Sequence, residues 1–489
     1  MNYYNLLNLP VDATPAEIRA AYFEAAKRFH PDINPDKGAE KTFTQSKEAY
    51  EVLSVPEKRE AYNRSLPPGT LKQAEINLKA YFSKTGIPKM DEPQLFYALL
   101  DMECSRPLED TDLPPIHVCL VIDRSTSMAG ERMDMVRANI VDLLGKMRQK
   151  DTLGIVTFSD RAEVVVPPAA ITEPYLIKNS LFNIQTNGAT EIFRGMEAGY
   201  EVMRRSTLDN ESKHLILITD GHTYGDEEAC MELAAKAWSE GFSISSFGIG
   251  HEWNDSFLDR LSSAGGGNAI FVKNGSDLSR YIEQKMKAFN ISYAHKVEFR
   301  FEVPENVELR YLFKILPEVA PLSTESPAPL GAIGFGNKTS LILEFKVPPV
   351  PKDVSDFDLI RGKILMEVPS NPIPYSRYFV NLSLPIKDHN LGEKPPTNIL
   401  QAMSRLTLYR LQEKAQTEVK GGNYHQAARH LQYLATHLLS QGDRDLARTV
   451  LMEAEHIQRT HQFSKEGDKK IKYGTRSLLM LPEPEGNDS

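Results

Sequence analysis

The sequence predicts a multidomain chain: an all-α N-terminal module, a doubly wound α/β domain inserted in a β-sandwich, and a helical C-terminal segment. Three patterns carry this. Apolar residues recur at helical spacing through residues 1–64. From 114 to 290, short β-rich apolar runs alternate with helical stripes. On both sides of that stretch, apolar residues alternate with period two. The chain has 489 residues. At roughly 150 residues per domain that length would make about three domains, and the patterns separate four.

Residues 1–65 form the first module. Thr14-Pro15-Ala16-Glu17 reads as a capping box with proline at the first helical position. Ile18, Tyr22, Ala25, Ala26 and Phe29 follow on one face. The helix must stop near Phe29, because His30 precedes Pro31. Asp32, Asn34, Pro35, Asp36 and Gly38 make a loop, and a second helix carries Phe43, Tyr50 and Leu53. Two antiparallel helices therefore hold His30-Pro31-Asp32 at an exposed tip. Residues 66–92, with Pro67-Pro68-Gly69, read as a linker that could include a short helix.

Residues 93–113 supply the first strand or strands of the sandwich, notably Leu95–Cys104. In 114–290 the runs Ile116–Ile122, Leu153–Phe158, Leu215–Thr219 and Phe242–Ile249 suit strands buried on both faces of a parallel sheet. A stripe of Met133, Val136, Ile140, Leu143, Leu144 and Met147 marks a covering helix. Residues 291–390 return to the sandwich, with alternation at Val297–Val303, Leu341–Val347 and Tyr378–Leu384. Residues 396–462 read as a helical hairpin or bundle with Gly442 at a turn. Residues 463–489 read as a disordered tail, basic and then acidic, with an apolar quartet Leu478–Leu481.

Composition narrows the function classes. Apolar residues are 41% and charged residues 25%, and the net charge is -9. An acidic chain has no global basic field, so nucleic acid and membrane surfaces are not expected partners. No apolar run is long enough for a membrane span, and the start, MNYYNLLNLP, lacks the pattern of a secretion signal. Cys104, Cys119 and Cys230 lie far apart, which excludes a disulfide framework and a cysteine-rich zinc site. A cytoplasmic, non-enzymatic protein is the expectation, since no nucleophile–base constellation stands out.

Ligands of doubly wound sheets bind at the carboxyl ends of the strands. There the sequence places Asp123-Arg124-Ser125-Thr126-Ser127, a loop Gly188-Ala189-Thr190, and Asp220-Gly221. Two carboxylates and three hydroxyls are hard oxygen donors, suited to magnesium or manganese rather than zinc.

Two resemblances sharpen the reading. Tyr3-Tyr4-Asn5-Leu6-Leu7, Arg19, Tyr22, Lys27, Arg28, His30-Pro31-Asp32 and AYEVLSVPEKREAY over 49–62 together resemble the J domain of DnaJ-type cochaperones. The resemblance implies that His30-Pro31-Asp32 and the face before it, Arg19, Tyr22, Lys27 and Arg28, dock a DnaK-type chaperone and trigger its ATP hydrolysis. Phe23 and Glu24 depart from the basic residues usual after the helix tyrosine, and Ser46 from a usual aliphatic residue. The module carries nine basic against ten acidic residues over 1–64. It is thus either an active cochaperone module or a J-like docking hairpin. The set DxSxS, GxT loop and TDG, with SFGIGHEWNDSFLDRLSSAGGGNAIFV over 246–272, resembles the von Willebrand factor A domain and its metal-ion-dependent adhesion site. The resemblance implies a dication held by Ser125, Ser127 and Thr190, with Asp123 and Asp220 bound directly or through water. A protein client or partner would offer it a carboxylate. The expected function is an adaptor joining both activities. The rival is a scaffold in a signalling or ring-ATPase-linked complex, with the J module merely docked.

Overall fold

The computed structural model describes residues 2–31, 37–67, 69–71, 75–105, 115–205, 212–221, 223, 225–350, 355–387 and 394–479. The first module holds α1 (Tyr3–Leu6), α2 (Pro15–Phe29), α3 (Lys37–Leu53) and α4 (Pro56–Ser65). The capping box at α2 is complete: Thr14 and Glu17 each satisfy the other's backbone N–H. The α2 helix ends at Phe29, as proline two residues on requires. Its core contains Tyr4, Leu7, Ile18, Ala49 and Leu53. It also takes in Ile373 from the sandwich, so this module is docked and not free-standing.

The sandwich begins where a linker was expected. Residues 66–92 contain β1 (Ile76–Phe82) and β2 (Ile87–Pro88), followed by β3 (Gln94–Cys104). The physical reason is visible in β1: Ile76, Leu78, Ala80 and Phe82 alternate, and the strand pairs antiparallel with β3.

The α/β domain follows, with β4 (Ile116–Asp123), α5 (Glu131–Leu144), β5 (Thr152–Phe158), β6 (Ala162–Ala170), α6 (Pro174–Phe182), α7 (Ile192–Arg204), β7 (Ser212–Thr219), α8 (Glu227–Ser239), β8 (Phe242–Ile249), α9 (Asp255–Ala264), β9 (Gly266–Val272) and α10 (Gly275–Asn290). Its six strands run β6-β5-β4-β7-β8-β9. Five are parallel, and β6 is an antiparallel edge strand. Two prolines at 167 and 168 suit an edge, where ladder donors can be spared. One sheet face is covered by α5, α6 and α10, the other by α7, α8 and α9.

The chain then returns to the sandwich with β10 (Ser292–Glu302), β11 (Glu308–Leu316), β12 (Ala320–Pro321), β13 (Ala328–Gly334), β14 (Thr339–Val347), β15 (Asp356–Glu367) and β16 (Tyr375–Lys387). The two sheets are β1-β3-β14-β11-β12 and β13-β10-β15-β16-β2. Strands from before and after the α/β domain share both sheets, so that domain is inserted in the sandwich.

Four helices close the described chain: α11 (Thr397–Lys420), α12 (Tyr424–Ser440), α13 (Arg444–Thr460) and α14 (Lys465–Ser477). The α11 helix packs Ile399, Ala402, Leu406 and Tyr409 on the outer face of the first sheet. The α14 helix occupies a stretch expected to be disordered. It is ordered by charge pairing with the α/β domain, where Arg476 meets Asp259 and Lys472 meets Asp255 and Asp259.

Candidate functional site

The sheet order places β4 between β5 and β7, so successive connections leave β4 in opposite directions. A crevice opens at the carboxyl ends of strands flanking such a reversal. Asp123 ends β4, and Asp220 follows β7. A 3-10 turn, Thr126–Met128, follows the first of them.

Four of the five predicted ligands form one hydrogen-bonded chain. Ser127 Oγ donates to Asp220 Oδ1 at 2.7 Å, and Ser125 Oγ lies 3.1 Å from Ser127 Oγ. The Ser125 N–H donates to Asp123 Oδ1 at 2.8 Å, and Thr219 Oγ1 donates to Asp123 Oδ2 at 2.6 Å. Asp123, Ser125 and Asp220 are buried, while Ser127 is exposed, so the set opens to one side. Burial pushes the Asp123 carboxyl above its ordinary range. The Thr219 and Ser125 hydrogen bonds oppose this, and the Asp220 charge adds to it.

The fifth ligand arrives on a tethered loop. The Gly188 carbonyl accepts from both the N–H and the hydroxyl of Thr126, each at 3.2 Å. Asn187 N–H donates to Arg124 O at 2.8 Å. Gly188 takes φ +80°, and a Cβ there would stand 2.6 Å from Asp160 Oδ1, so only glycine suits the position. Thr190 Oγ1 would lie 3.0 Å from a Cβ on Gly221, which brings its hydroxyl against the Asp220 loop. The donor set is all oxygen and fits a hard dication. Among the described residues, no three His, Cys, Asp or Glu side chains group as a metal site. A hydroxyl-rich set of this kind contains too few such residues to form one.

One residue of this site was not read from the sequence. Arg132, in the first turn of α5, pairs with Asp220, and its Nη1 lies 3.3 Å from Ser127 O. No motif marks it, and only the fold brings it to Asp220.

The second predicted site is the α2 tip. His30 caps α2 in an extended conformation and meets the Phe43 ring edge-on at 5.0 Å. Pro31 is exposed, and Asp32 lies outside the described residues. Arg19, Phe23 and Lys27 form an exposed stripe at helical spacing. Tyr22 does not join it. Its ring stacks on Tyr50 at 4.5 Å and is half-buried, so it supports the hairpin. Lys27 pairs with Glu24 at 2.7 Å, and Arg28 approaches Glu240 of the α/β domain at 3.8 Å. Ser46 is fully buried and its hydroxyl finds no partner among the described residues.

A cavity of about 930 Å³ opens where the helical module, α/β domain and sandwich meet, between Asn8, Trp238, Leu322 and Met366. It touches none of the five candidate ligands.

Comparison with known proteins agrees with this architecture. Residues 2–63 match the DnaJ domain, residues 117–284 the von Willebrand factor type A domain, and residues 397–481 the Sll0103-like, C-terminal alpha-helical domain. The uncharacterized protein sll0103 of Synechocystis sp. is 23% identical over 380 residues, covering 75% of this chain and 89% of that protein. Chaperone protein DnaJ of Herminiimonas arsenicoxydans is 52% identical over 64 residues. These are 13% of this chain and only 17% of that chaperone. Among solved structures, a von Willebrand factor type A protein from Catenulispora acidiphila aligns with TM-score 0.65 at 13% identity, covering 86% of this chain and 99% of that one. The ArnB paralog VWA2 from Sulfolobus acidocaldarius aligns at 0.53 and 14% identity, covering 84% and 100%. Motif, fold and similarity converge: the chain is a fusion of an N-terminal DnaJ domain with a von Willebrand factor type A domain, followed by a Sll0103-like helical domain.

Proposed function

We propose that this chain is a non-enzymatic, cytoplasmic cochaperone adaptor. Its J domain recruits a DnaK-type chaperone and stimulates its ATPase, and its A domain grips a protein client or partner. The observation that carries this is the DnaJ-like hairpin, which exposes Pro31 and the stripe Arg19, Phe23 and Lys27 beside a half-buried His30, while its other side is docked on the sandwich. A cationic stripe suits an acidic ATPase surface. Steady-state ATPase of a DnaK-type chaperone should rise several-fold with the protein and should not rise with His30→Gln. Equal rates for both would sink the cochaperone reading.

At the A domain, Ser125, Ser127 and Thr190 would hold magnesium or manganese, with Asp123 and Asp220 balancing its charge. When bound, the dication supplies an electrophilic position for a partner carboxylate. The chain's own residues do the rest: Thr219 and the Ser125 N–H orient Asp123, and the Gly188 tether sets the position of Thr190. Magnesium or manganese should raise the melting temperature, and Asp123→Ala should abolish that rise. No rise in the wild type at millimolar metal would remove the metal from the mechanism.

A scaffold reading is favoured by the engagement of Lys27 with Glu24 and by the proximity of Arg28 to Glu240. A pull-down separates the two. One stoichiometric partner supports a scaffold, whereas many partners released by ATP support a cochaperone.

A further inference from the structure

We propose that Arg132 is a built-in competitor of the metal: its guanidinium holds Asp220 when no dication is bound, and a dication binds by displacing it. The inference rests on the metal reading above and concerns how that site is regulated.

Asp220 is fully buried, and its two oxygens have different partners. Oδ1 accepts from Ser127, one of the candidate ligands, and Oδ2 is taken by Arg132. The guanidinium also reaches Ser127 O at 3.3 Å, so it lies along the same short segment that would hold the metal. Two carboxylates give the site a formal charge of about -2, which the arginine halves. A dication entering with the guanidinium still in place would share Asp220 with another positive charge, and close like charges repel strongly where water is excluded. The arginine can leave. It sits on the first turn of α5, its side chain is 37% exposed, and its stem has several rotatable bonds. Its Nη2 lies against Gly250, at φ +70°, where a Cβ would stand 3.3 Å away, so the glycine is what lets the guanidinium sit there. The site therefore has two states, one in which the arginine halves the carboxylate charge and one in which a dication balances it. The arginine raises the dication concentration needed to pass between them.

The test is manganese binding to the full chain, followed by the EPR signal of free Mn²⁺, for wild type, Arg132→Met, Arg132→Lys and Asp123→Ala. Methionine keeps the apolar stem and removes the charge. Arg132→Met should bind at least about tenfold more tightly than wild type, and Arg132→Lys should stay close to wild type. Without metal, Arg132→Met should melt below wild type, because Asp220 loses its partner. In saturating Mn²⁺ the two should melt together. Equal or weaker binding by Arg132→Met, with wild type binding normally, would overturn the competition alone. No binding by any of the four proteins would overturn the metal reading and this inference with it.

Discussion

Glu17 closes the capping box of α2 and also reaches across to the sandwich. One oxygen accepts from Thr14 N–H at 2.9 Å, while Lys363 at 2.6 Å and Arg377 at 2.7–2.8 Å pair with the same carboxylate. Burial alone would raise its pKa. The Lys363 hydrogen bond, the Thr14 N–H and Arg377 outweigh burial and hold it at about 2 against an ordinary 4.5. A carboxyl lowered on folding stabilises fully above its ordinary pKa, and that stability is lost as pH falls through the folded value. The difference in melting temperature between wild type and Glu17→Gln should therefore be constant above pH 4.5 and shrink between pH 4.5 and 2. A difference independent of pH in that window would show that the pairing is energetically idle. At this scale the sequence was informative wherever a motif fixes several residues at once: the capping box, His30-Pro31, and the Asp123, Ser125, Ser127, Thr190 and Asp220 set. It was silent on Arg132 and Arg377, single charged residues whose partners lie 88 and 360 positions away. Ser46 is a departure in the sequence, and the fold shows its consequence, a buried hydroxyl without a partner among the described residues.

The α14 helix shows why elements differ in legibility. Its sequence, KEGDKKIKYGTRS, has few apolar residues, and by composition it reads as a solvated tail. Ser464 caps it through Gly467 N–H at 3.0 Å, a local signal that was present in the sequence. Its stability is tertiary. Arg476 forks onto Asp259 at 2.6 and 2.7 Å, Lys472 meets Asp259 at 2.9 Å, and Lys469 donates to His251 O at 2.6 Å. Tyr473 packs against Trp253 and Phe271 at 5.6 and 5.9 Å between ring centres. Thr475 is fully buried and bonds Ile471 O, and Leu479 joins the core under α11. Leu479, part of the apolar quartet at 478–481, is therefore an internal contact. Removing one partner of a buried ion pair costs about 3–5 kcal/mol. Arg476→Ala should strip amide-exchange protection from residues 465–477 while the strands of the A domain keep theirs. Unchanged protection of α14 would show that the aromatic packing alone holds it. The β1 strand failed to be read for the opposite reason. Its period-two pattern was available, but the prolines and glycine beside it drew the whole segment into a linker. The long α/β runs and the sandwich alternation were legible because their periods are strong and repeated.

At the scale of the molecule, the insertion makes one body of parts the sequence presents as separate. The sandwich carries the A domain between its strands, α11 covers its outer sheet, α14 bridges back to the A domain, and the J domain docks through β16 and its neighbours. The J-domain contact is more than a touch. Ile373 enters the J-domain core. The Arg377 side chain is only 4% exposed, and it pairs with Asp12 at 2.9 Å and with Glu17. Asn5 reaches Pro372 O at 3.0 Å, and Tyr375 reaches Asn8 at 2.7 Å. A docked J domain keeps its exposed α2 stripe at a fixed place relative to the A-domain site, so under the proposed function a client held at one would be presented to a chaperone at the other. Arg377→Ala removes the cation from Asp12 and leaves Glu17 with Lys363 alone, which weakens the docked state. The helical hairpin has its own capping box and its own aromatic contacts, so its internal fold should persist. Calorimetry of the wild type should then show the J domain melting with the sandwich in one transition, and Arg377→Ala should split off a separate transition at lower temperature. ATPase stimulation by the variant should persist, because Arg377 holds Asp12 and Glu17 around the start of α2 whereas His30 caps its other end, and any advantage for clients held by the A domain should fall. A single transition in Arg377→Ala at the wild-type temperature would mean that the docking is held by the apolar contact at Ile373 and not by the buried ion pairs.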